Sequence, residues 1–383
     1  MKTDNSKYDY IIAGSGCAGL SLLYGLLNDP ILKDKKILVL DKNRKNKNDR
    51  TWCFWEMKAG PFEEVVFHRW NTLEFLDESF TKKFELEKYS YKMIQGIDYY
   101  NFVLNHAKGF ENVVFKCESI QSIKSDSDRA FVETDQSTYS GTYVFNSTRL
   151  FHPEMNTENS LLQHFEGWVI KVKNPVFDSD VGTLMDFRLS QKNGTTFMYV
   201  LPTSPTEALV EYTLFSKKVL EKEVYKTELE KYIQDYLKID SYEITHKEFG
   251  IIPMSTASFS RNTEKRIINL GTAGGQTKAS SGYTFQFIQK NTSIILENLR
   301  NGNFPNQSLS FRDKMYQWYD RTLIEVILSG KMEGKEIFSV MFRKLNPEMI
   351  LAFLANESTF LEELQIMNSL PKGPFFTSGI KQL

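Results

Sequence analysis

Tyr8-Asp9-Tyr10-Ile11-Ile12-Ala13-Gly14-Ser15-Gly16-Cys17-Ala18-Gly19 is the stretch from which the fold of this chain can be read. The apolar residues between positions 8 and 13 are clustered rather than alternating, as in a central strand of a parallel sheet buried on both faces. Glycines at 14, 16 and 19 follow at once, and Leu20, Leu22, Leu23, Leu26 and Leu27 mark a helix. Lys36 to Leu40 reads as a second short apolar strand, with Asp41 at its end, 22 residues beyond Gly19. In such a βαβ unit the glycine turn brings backbone N–H groups up to a pyrophosphate at a helix N-terminus, and the acid takes the hydroxyls of an adenosine ribose. A bare G-x-G-x-x-G is weak. The strand before it, the helix after it and the acid in place make this one specific.

Further along, Arg266 to Leu270 reads as another buried strand. It runs into Gly271-Thr272-Ala273-Gly274-Gly275, and Ser280-Ser281-Gly282-Tyr283-Thr284-Phe285 opens a helix. The chain therefore returns to its first domain. This second turn would set backbone N–H groups and a positive helix end beside a flavin ring, a field that favours an anionic reduced flavin. One complete fingerprint is present and no second one for a nicotinamide, so a nicotinamide would visit rather than reside.

Between these landmarks, residues 91 to 108 predict a strand, Gly96 and a helix, with strands following to Asn146. Residues 165 to 216 are strand-rich with polar turns, the signature of an antiparallel sheet. Residues 221 to 237 have helical spacing, and three or four helical segments are expected from 308 onward. The expected fold is α/β: a single Rossmann-type FAD-binding domain of flavin hydroxylase-like arrangement, an inserted antiparallel-sheet substrate domain, and C-terminal helices. The FAD domain is expected to be discontinuous, from 1–75, 90–150 and 260–305, with the substrate domain from 76–89 and 151–259 and the helical region at 306–383.

Composition excludes several function classes. With 47 basic and 48 acidic side chains there is no overall attraction for nucleic acid. Cys17, Cys53 and Cys117 form no Cys-x-x-Cys pair, and the five histidines show no ligand spacing, so neither dithiol chemistry nor a metal is expected. No Gly-x-Ser-x-Gly elbow marks a serine hydrolase. No secretory leader and no membrane-spanning apolar run stand out, which leads us to expect a cytoplasmic chain. The aromatic content of 14% suits either a large core or an apolar cavity lined by rings. Asp41 to Arg50 is polar and basic, either a solvated loop or a contact to cofactor phosphates or an anionic lipid surface; Arg50 is a candidate to contact the flavin phosphate, or else holds the loop.

Asp49-Arg50-Thr51-Trp52-Cys53-Phe54-Trp55 resembles the signature that follows the second strand in bacterial lycopene beta-cyclases. Four further stretches are similar, in the same order: Met185 to Arg188; Tyr199 to Pro202 leading to Glu211-Tyr212-Thr213; Glu248 to Pro253; and Gly271 to Phe285. Residues 277 to 283 depart from the family's commoner Pro-Thr/Ser-Thr-Gly-Tyr form.

The resemblance implies a non-redox cyclisation of lycopene, or a related linear carotenoid, to beta-carotene, with reduced FAD required and NADPH as its electron source. Protonation of a terminal double bond, attack by an internal alkene and loss of a ring proton need an acid in a dry pocket, electron-rich walls and a base. Glu211 fits the acid or base role: in so apolar a strand an inward carboxyl would stay protonated, whereas an outward one would be merely solvated. Asp186 is the second candidate carboxylate, or else a structural ion-pair partner of Arg188. Trp52, Phe54, Trp55, Tyr199 and Tyr283 are candidates to line the polyene channel, or core aromatics.

The cofactor candidates are Gly14, Gly16, Gly19, Asp41, Arg50, Gly271, Gly274, Gly275 and Gly282. So insoluble a substrate implies peripheral membrane contact, through residues 42–55 or the apolar helices after 336. The rivals are an isoprenoid-chain reductase or flavin hydroxylase of the same fold, and a non-catalytic carotenoid-binding flavoprotein. Asn146-Ser147-Thr148-Arg149 and Thr272 stand where aromatic hydroxylases carry an Asp-Gly motif and an acid, which counts against oxygen chemistry.

Overall fold

A computed structural model describes residues 2–305 and 308–382; Met1, Asn306, Gln307 and Leu383, which fall within the expected regions, lie outside the described residues. The first sheet contains β1 (Lys2–Ala13), β2 (Ile37–Asp41), β8 (Val113–Cys117), β9 (Ile120–Ser125), β10 (Ala130–Thr134), β11 (Ser137–Asn146), β17 (Asn262–Glu264) and β18 (Ile267–Asn269). Its order is β17-β18-β11-β1-β2-β8, parallel from β18 to β8, with β10 and β9 added antiparallel beside β11.

Helices α1 (Cys17–Asn28), α2 (Gly96–Ala107) and α4 (Phe285–Arg300) belong to the core on one face, together with Tyr10, Ile12, Val39 and Phe145. Ile11, Ala13, Leu38, Leu40 and Val144 point the other way, into a core that includes Ile123 and Val132 of β9 and β10. Both faces are covered, which is why the strands read as unbroken apolar runs.

The second sheet has the order β16-β12-β15-β14-β13-β5-β6, formed by β5 (Thr72–Asp77), β6 (Phe80–Glu85), β12 (Ser160–Lys171), β13 (Val181–Asp186), β14 (Thr195–Ser204), β15 (Glu207–Ser216) and β16 (Glu243–Ser255). All neighbours are antiparallel except β5 and β13. Every residue of β5 pairs in this sheet, so the boundary expected between 75 and 76 cuts through a strand; the first crossing into the second sheet comes at 72.

Helix α3 (Lys222–Asp235) covers one face through Tyr225, Leu229, Tyr232 and Ile233, meeting Trp168, Met198, Val210 and Tyr212. The other face packs on α5 (Phe311–Leu328) and α6 (Gly334–Lys344), through Ile324, Val326, Ile337 and Phe338. A third sheet, β3 (Thr51–Glu56), β7 (Ser90–Gln95) and β4 (His68–Trp70), contributes to the cores of both halves.

The C-terminal region holds five described helices rather than three or four, the others being α7 (Pro347–Leu354), α8 (Phe360–Ser369) and α9 (Lys372–Lys381). Local stops cut what periodicity alone runs together: Asn346 caps α7 with Pro347 in its first turn, Thr359 and Glu362 form a capping box, and Pro371 precedes α9. Ile337, Met341, Ile350 and Leu354, whose apolar pattern suggested a lipid contact, are buried in the core beside the second sheet.

Candidate active site

At the end of β1 the chain turns through Gly14, whose φ of +104° suits glycine, and its N–H donates to the Leu40 carbonyl at 2.7 Å. A Cβ on Gly19 would lie 1.9 Å from the Gly14 carbonyl oxygen, so only glycine lets α1 start this close to the strand. A Cβ on Gly16 would meet nothing within 4 Å. Asp41 closes this end: its Oδ2 accepts from the Ser15 backbone N–H at 2.8 Å and from Ser15 Oγ at 3.0 Å, with Lys45 Nζ 3.7 Å away. Arg50 is exposed and donates from Nη1 to the Asp49 carbonyl. The second turn lies opposite. Gly271, Gly275 and Gly282 all have positive φ, and a Cβ on Gly274 would sit 2.3 Å from the Asn269 carbonyl oxygen.

A cavity of about 700 Å³ joins these turns to the second sheet, lined by Gly16, Cys17, Arg50, Gly271 and Gly282 from the turns and loops and by Tyr199, Glu211 and Glu248 from the sheet. Two polar atoms buried in its wall have no partner, Gln163 Oε1 and Ser281 Oγ. They bracket Gly282, where a Cβ would come within 2.1 Å of Gln163 Oε1. Buried polar atoms are normally satisfied, so these two point to a polar group that belongs in the cavity. The glycine cradle, the acid at the ribose end and these orphaned atoms fit FAD. Gly14, Gly16, Gly19 and Asp41 would hold the nucleotide, and Gly271, Gly282, Gln163 and Ser281 the ring.

The buried carboxyls of the cavity lie on one row across the second sheet. Register pairs Tyr199 on β14 with Glu211 on β15, Glu211 with Gly167 on β12, and Gly167 with Glu248 on β16. The two glutamates thus flank a residue without a side chain: a Cβ on Gly167 would stand 3.3 Å from Glu211 Oε2 and 3.4 Å from Glu248 Cγ. Glu211 Oε1 accepts from Thr213 Oγ1 at 2.7 Å, and Glu248 Oε2 accepts from Thr51 Oγ1 at 2.7 Å. Burial, reinforced by the charge on Glu248 and opposed by the Thr213 hydrogen bond, pushes the Glu211 carboxyl up to about 8. Glu248 is raised by burial too, against the pull of Thr51 and Arg50. The Tyr91 and Tyr199 hydroxyls approach that of Tyr283 at 3.2 and 3.4 Å, and burial raises all three phenols.

Of the aromatic candidates, Trp52, Tyr199 and Tyr283 line the cavity. Phe54 and Trp55 do not. Phe54 stacks on Phe285 at 4.3 Å within the first core, and Trp55 is buried in the second with Nε1 donating to the Leu351 carbonyl. Along the same strand, Thr51 and Cys53 line the cavity beside the carboxyl pair.

Asp186 is the other correction. It is fully buried, accepts from Arg188 Nε and Nη2 and from the Tyr232 hydroxyl at 2.7 Å, and does not line the cavity. Tyr232 comes from α3, so this carboxylate serves the opposite side of the sheet, as the ion-pair reading held. Replacing Asp186 by Ala should destabilise the fold by about 3 kcal/mol, because Arg188 and Tyr232 lose a buried partner, while FAD affinity stays within twofold. Urea unfolding and flavin titration check the two halves of that expectation.

Glu248, Gly167 and Gln163 were not among the residues singled out from sequence. Glu248 opens one of the family-like stretches, but only strand register reveals that it meets Glu211. Among the described residues no three His, Cys, Asp or Glu side chains form a metal-binding group, and no helix is long and apolar enough to cross a membrane.

A mainly parallel Rossmann-type sheet joined to a mainly antiparallel sheet over one shared cavity is a fold found among FAD-dependent flavoproteins. The chain superimposes on a geranylgeranyl bacteriochlorophyll reductase-like protein from Thermoplasma acidophilum with a TM-score of 0.66, at 11% identity over 99% of this chain and 100% of that one. It superimposes on Klebsiella pneumoniae HpxO complexed with FAD with a TM-score of 0.65, at 14% identity over 96% and 100%. The flavin-dependent brominase Bmp2 gives 0.63, at 11% identity over 92% and 94%. No curated protein sequence matches the chain. The profile of the lycopene cyclase protein family matches residues 9–379, and the chain belongs to that family of enzymes.

Proposed function

We propose that this chain is a lycopene beta-cyclase, closing the linear ends of lycopene into β-ionone rings, with FAD bound in its reduced form. The observation that carries this reading is a buried Glu211, its carboxyl pushed up to about 8 by burial, in the same cavity as the two glycine turns. Glu211 holds its proton because a dry, apolar wall penalises the carboxylate, and it gives that proton to the inner carbon of the terminal double bond, leaving a tertiary cation. Leu201, Leu209 and Phe165 exclude water from the path of the carbocation, and the ring faces of Tyr199 and Tyr283 stabilise it. Reduced FAD supplies negative charge beside the cation and no electrons to the product. NADPH is the proposed electron source for that reduction.

Exposed apolar side chains support a peripheral lipid contact through α8 and α9: Leu361 is 70% and Phe376 71% exposed, with Phe360 and Ile380 also open to solvent.

The test is an anaerobic incubation of the protein with FAD, NADPH and lycopene in liposomes made up in heavy water. An isomer of unchanged formula apart from exchanged hydrogen, with NADPH consumption not tracking product, is expected. A product with two added hydrogens replaces this reading with an isoprenoid-chain reductase, and polyene bound without turnover replaces it with a carrier. In the same liposomes Leu361→Ser with Phe376→Ser should reduce flotation several-fold; unchanged flotation removes α8 and α9 from the lipid contact.

A further inference from the structure

The reaction proposed above takes up one proton and expels one for each ring it closes, so the site needs a proton acceptor as well as a donor. We infer that Glu248 is that acceptor, and that the proton it takes returns to Glu211 across the gap at Gly167, so that the two glutamates carry a single proton through the cycle. This inference rests on the cyclisation reading.

The geometry supports it in three ways. Glu211 and Glu248 lie on β15 and β16, the two neighbours of β12, and both pair with the same residue of that strand. That residue is Gly167, where a Cβ would crowd the Glu211 carboxyl oxygen and the Glu248 side-chain stem at once. The charge of Glu248 acts on the buried Glu211, and two interacting carboxyls in a buried site do not both ionise readily, so the pair shares one proton and titrates as a unit.

The surroundings are unequal, and they assign the roles. Glu248 receives the Thr51 hydroxyl at 2.7 Å and lies in the field of the Arg50 guanidinium, with a smaller opposing field from Asp49, so of the two it is the member assigned the charge at rest. Glu211 accepts from the Thr213 hydroxyl in the same way, but it otherwise faces the neutral Tyr199, Tyr283 and Cys53 rather than a cation. In the first step the Glu211 O–H bond breaks and the π pair of the terminal double bond forms a C–H bond at its inner carbon, leaving a tertiary cation at the dimethyl-bearing carbon. The internal alkene pair then closes the ring C–C bond. A ring C–H bond breaks, its electron pair makes the ring double bond, and its proton goes to a Glu248 carboxylate oxygen. Transfer from Glu248 to Glu211 restores the resting state with no net change in atoms, charge or electrons.

The experiment uses the FAD-loaded protein with lycopene in liposomes in heavy water, comparing the parent with Glu248→Gln and Glu248→Asp. Glu248→Gln should cut ring formation at least about 100-fold at unchanged FAD affinity. It should still let Glu211 protonate the alkene reversibly, so recovered lycopene gains deuterium without a ring; a merely structural role predicts no such uncoupling. Glu248→Asp keeps the charge and should retain roughly a tenth of parental turnover or more. Ring formation by Glu248→Gln within threefold of the parent overturns the assignment while leaving the cyclase reading intact. Loss of FAD binding in both variants overturns it in favour of a structural role. No ring product from the parent defeats the cyclase reading itself.

Discussion

Glu211→Gln should bind FAD as tightly as the parent and form product at least about 100-fold more slowly, the usual cost of removing a positioned general acid. The amide keeps the shape of the side chain and its contact with Thr213, so the loss is one of proton donation rather than of folding. Turnover of the parent should fall as pH rises through about 8, where Glu211 loses its proton in the field of Glu248. The groups facing it on the neighbouring elements, Cys53, Tyr199 and Tyr283, are themselves raised and remain neutral in that range. Full turnover by the variant would remove Glu211 from the mechanism.

The same proton has a signature in stability. A glutamate in the unfolded chain titrates near its ordinary 4.5, and in the folded chain near 8. Between those values the native state holds the extra proton. The contribution is therefore complete below about 4.5 and is lost as pH rises towards 8, by at most about 1.4 kcal/mol per pH unit. Glu211→Gln lacks this slope, so its melting temperature should gain on that of the parent between pH 5 and pH 8. A constant gap across that range would show that the carboxyl is ionised throughout.

Gly19→Ala should abolish tight FAD binding. Its Cβ would collide with a backbone carbonyl 1.9 Å away, and backbone cannot swing aside as a side chain end does. Helix α1 must retreat from β1, taking its N-terminus away from the pyrophosphate site. An affinity loss on the order of 100-fold, about 3 kcal/mol, is expected together with reduced stability. Gly16→Ala is the informative contrast, since its Cβ meets no protein atom within 4 Å. It should leave the melting temperature within a degree or two and still weaken FAD, because any penalty there comes from the ligand's approach. Flavin fluorescence titration beside thermal melts separates the two effects, and equal FAD affinity in parent and Gly16→Ala would place the pyrophosphate away from that turn.

How much could be read in advance differs between the two halves of the site. The nucleotide half is local: the turn, the helix start and Asp41 fall within residues 8 to 41, and their geometry follows from glycine spacing and apolar runs. The catalytic half is not. Ala208 to Phe215 is buried throughout because α3 covers one face of the sheet and the C-terminal helices the other, so alternation could not say which way Glu211 turns. The same reasoning could not say that Asp186 turns towards α3, where an arginine and a tyrosine claim it.

From its own order of residues this chain determines a βαβ nucleotide site, a second glycine turn, and membership of a family recognisable by short stretches spread along most of its length. Only the tertiary structure decided that Glu248, and not Asp186, keeps company with Glu211. Gly167 stands 81 positions before Glu248 and meets it solely through strand register. Backbone preference and apolar period act over a few neighbours, whereas register is selected by what all the strands together can bury, and that choice is made in three dimensions.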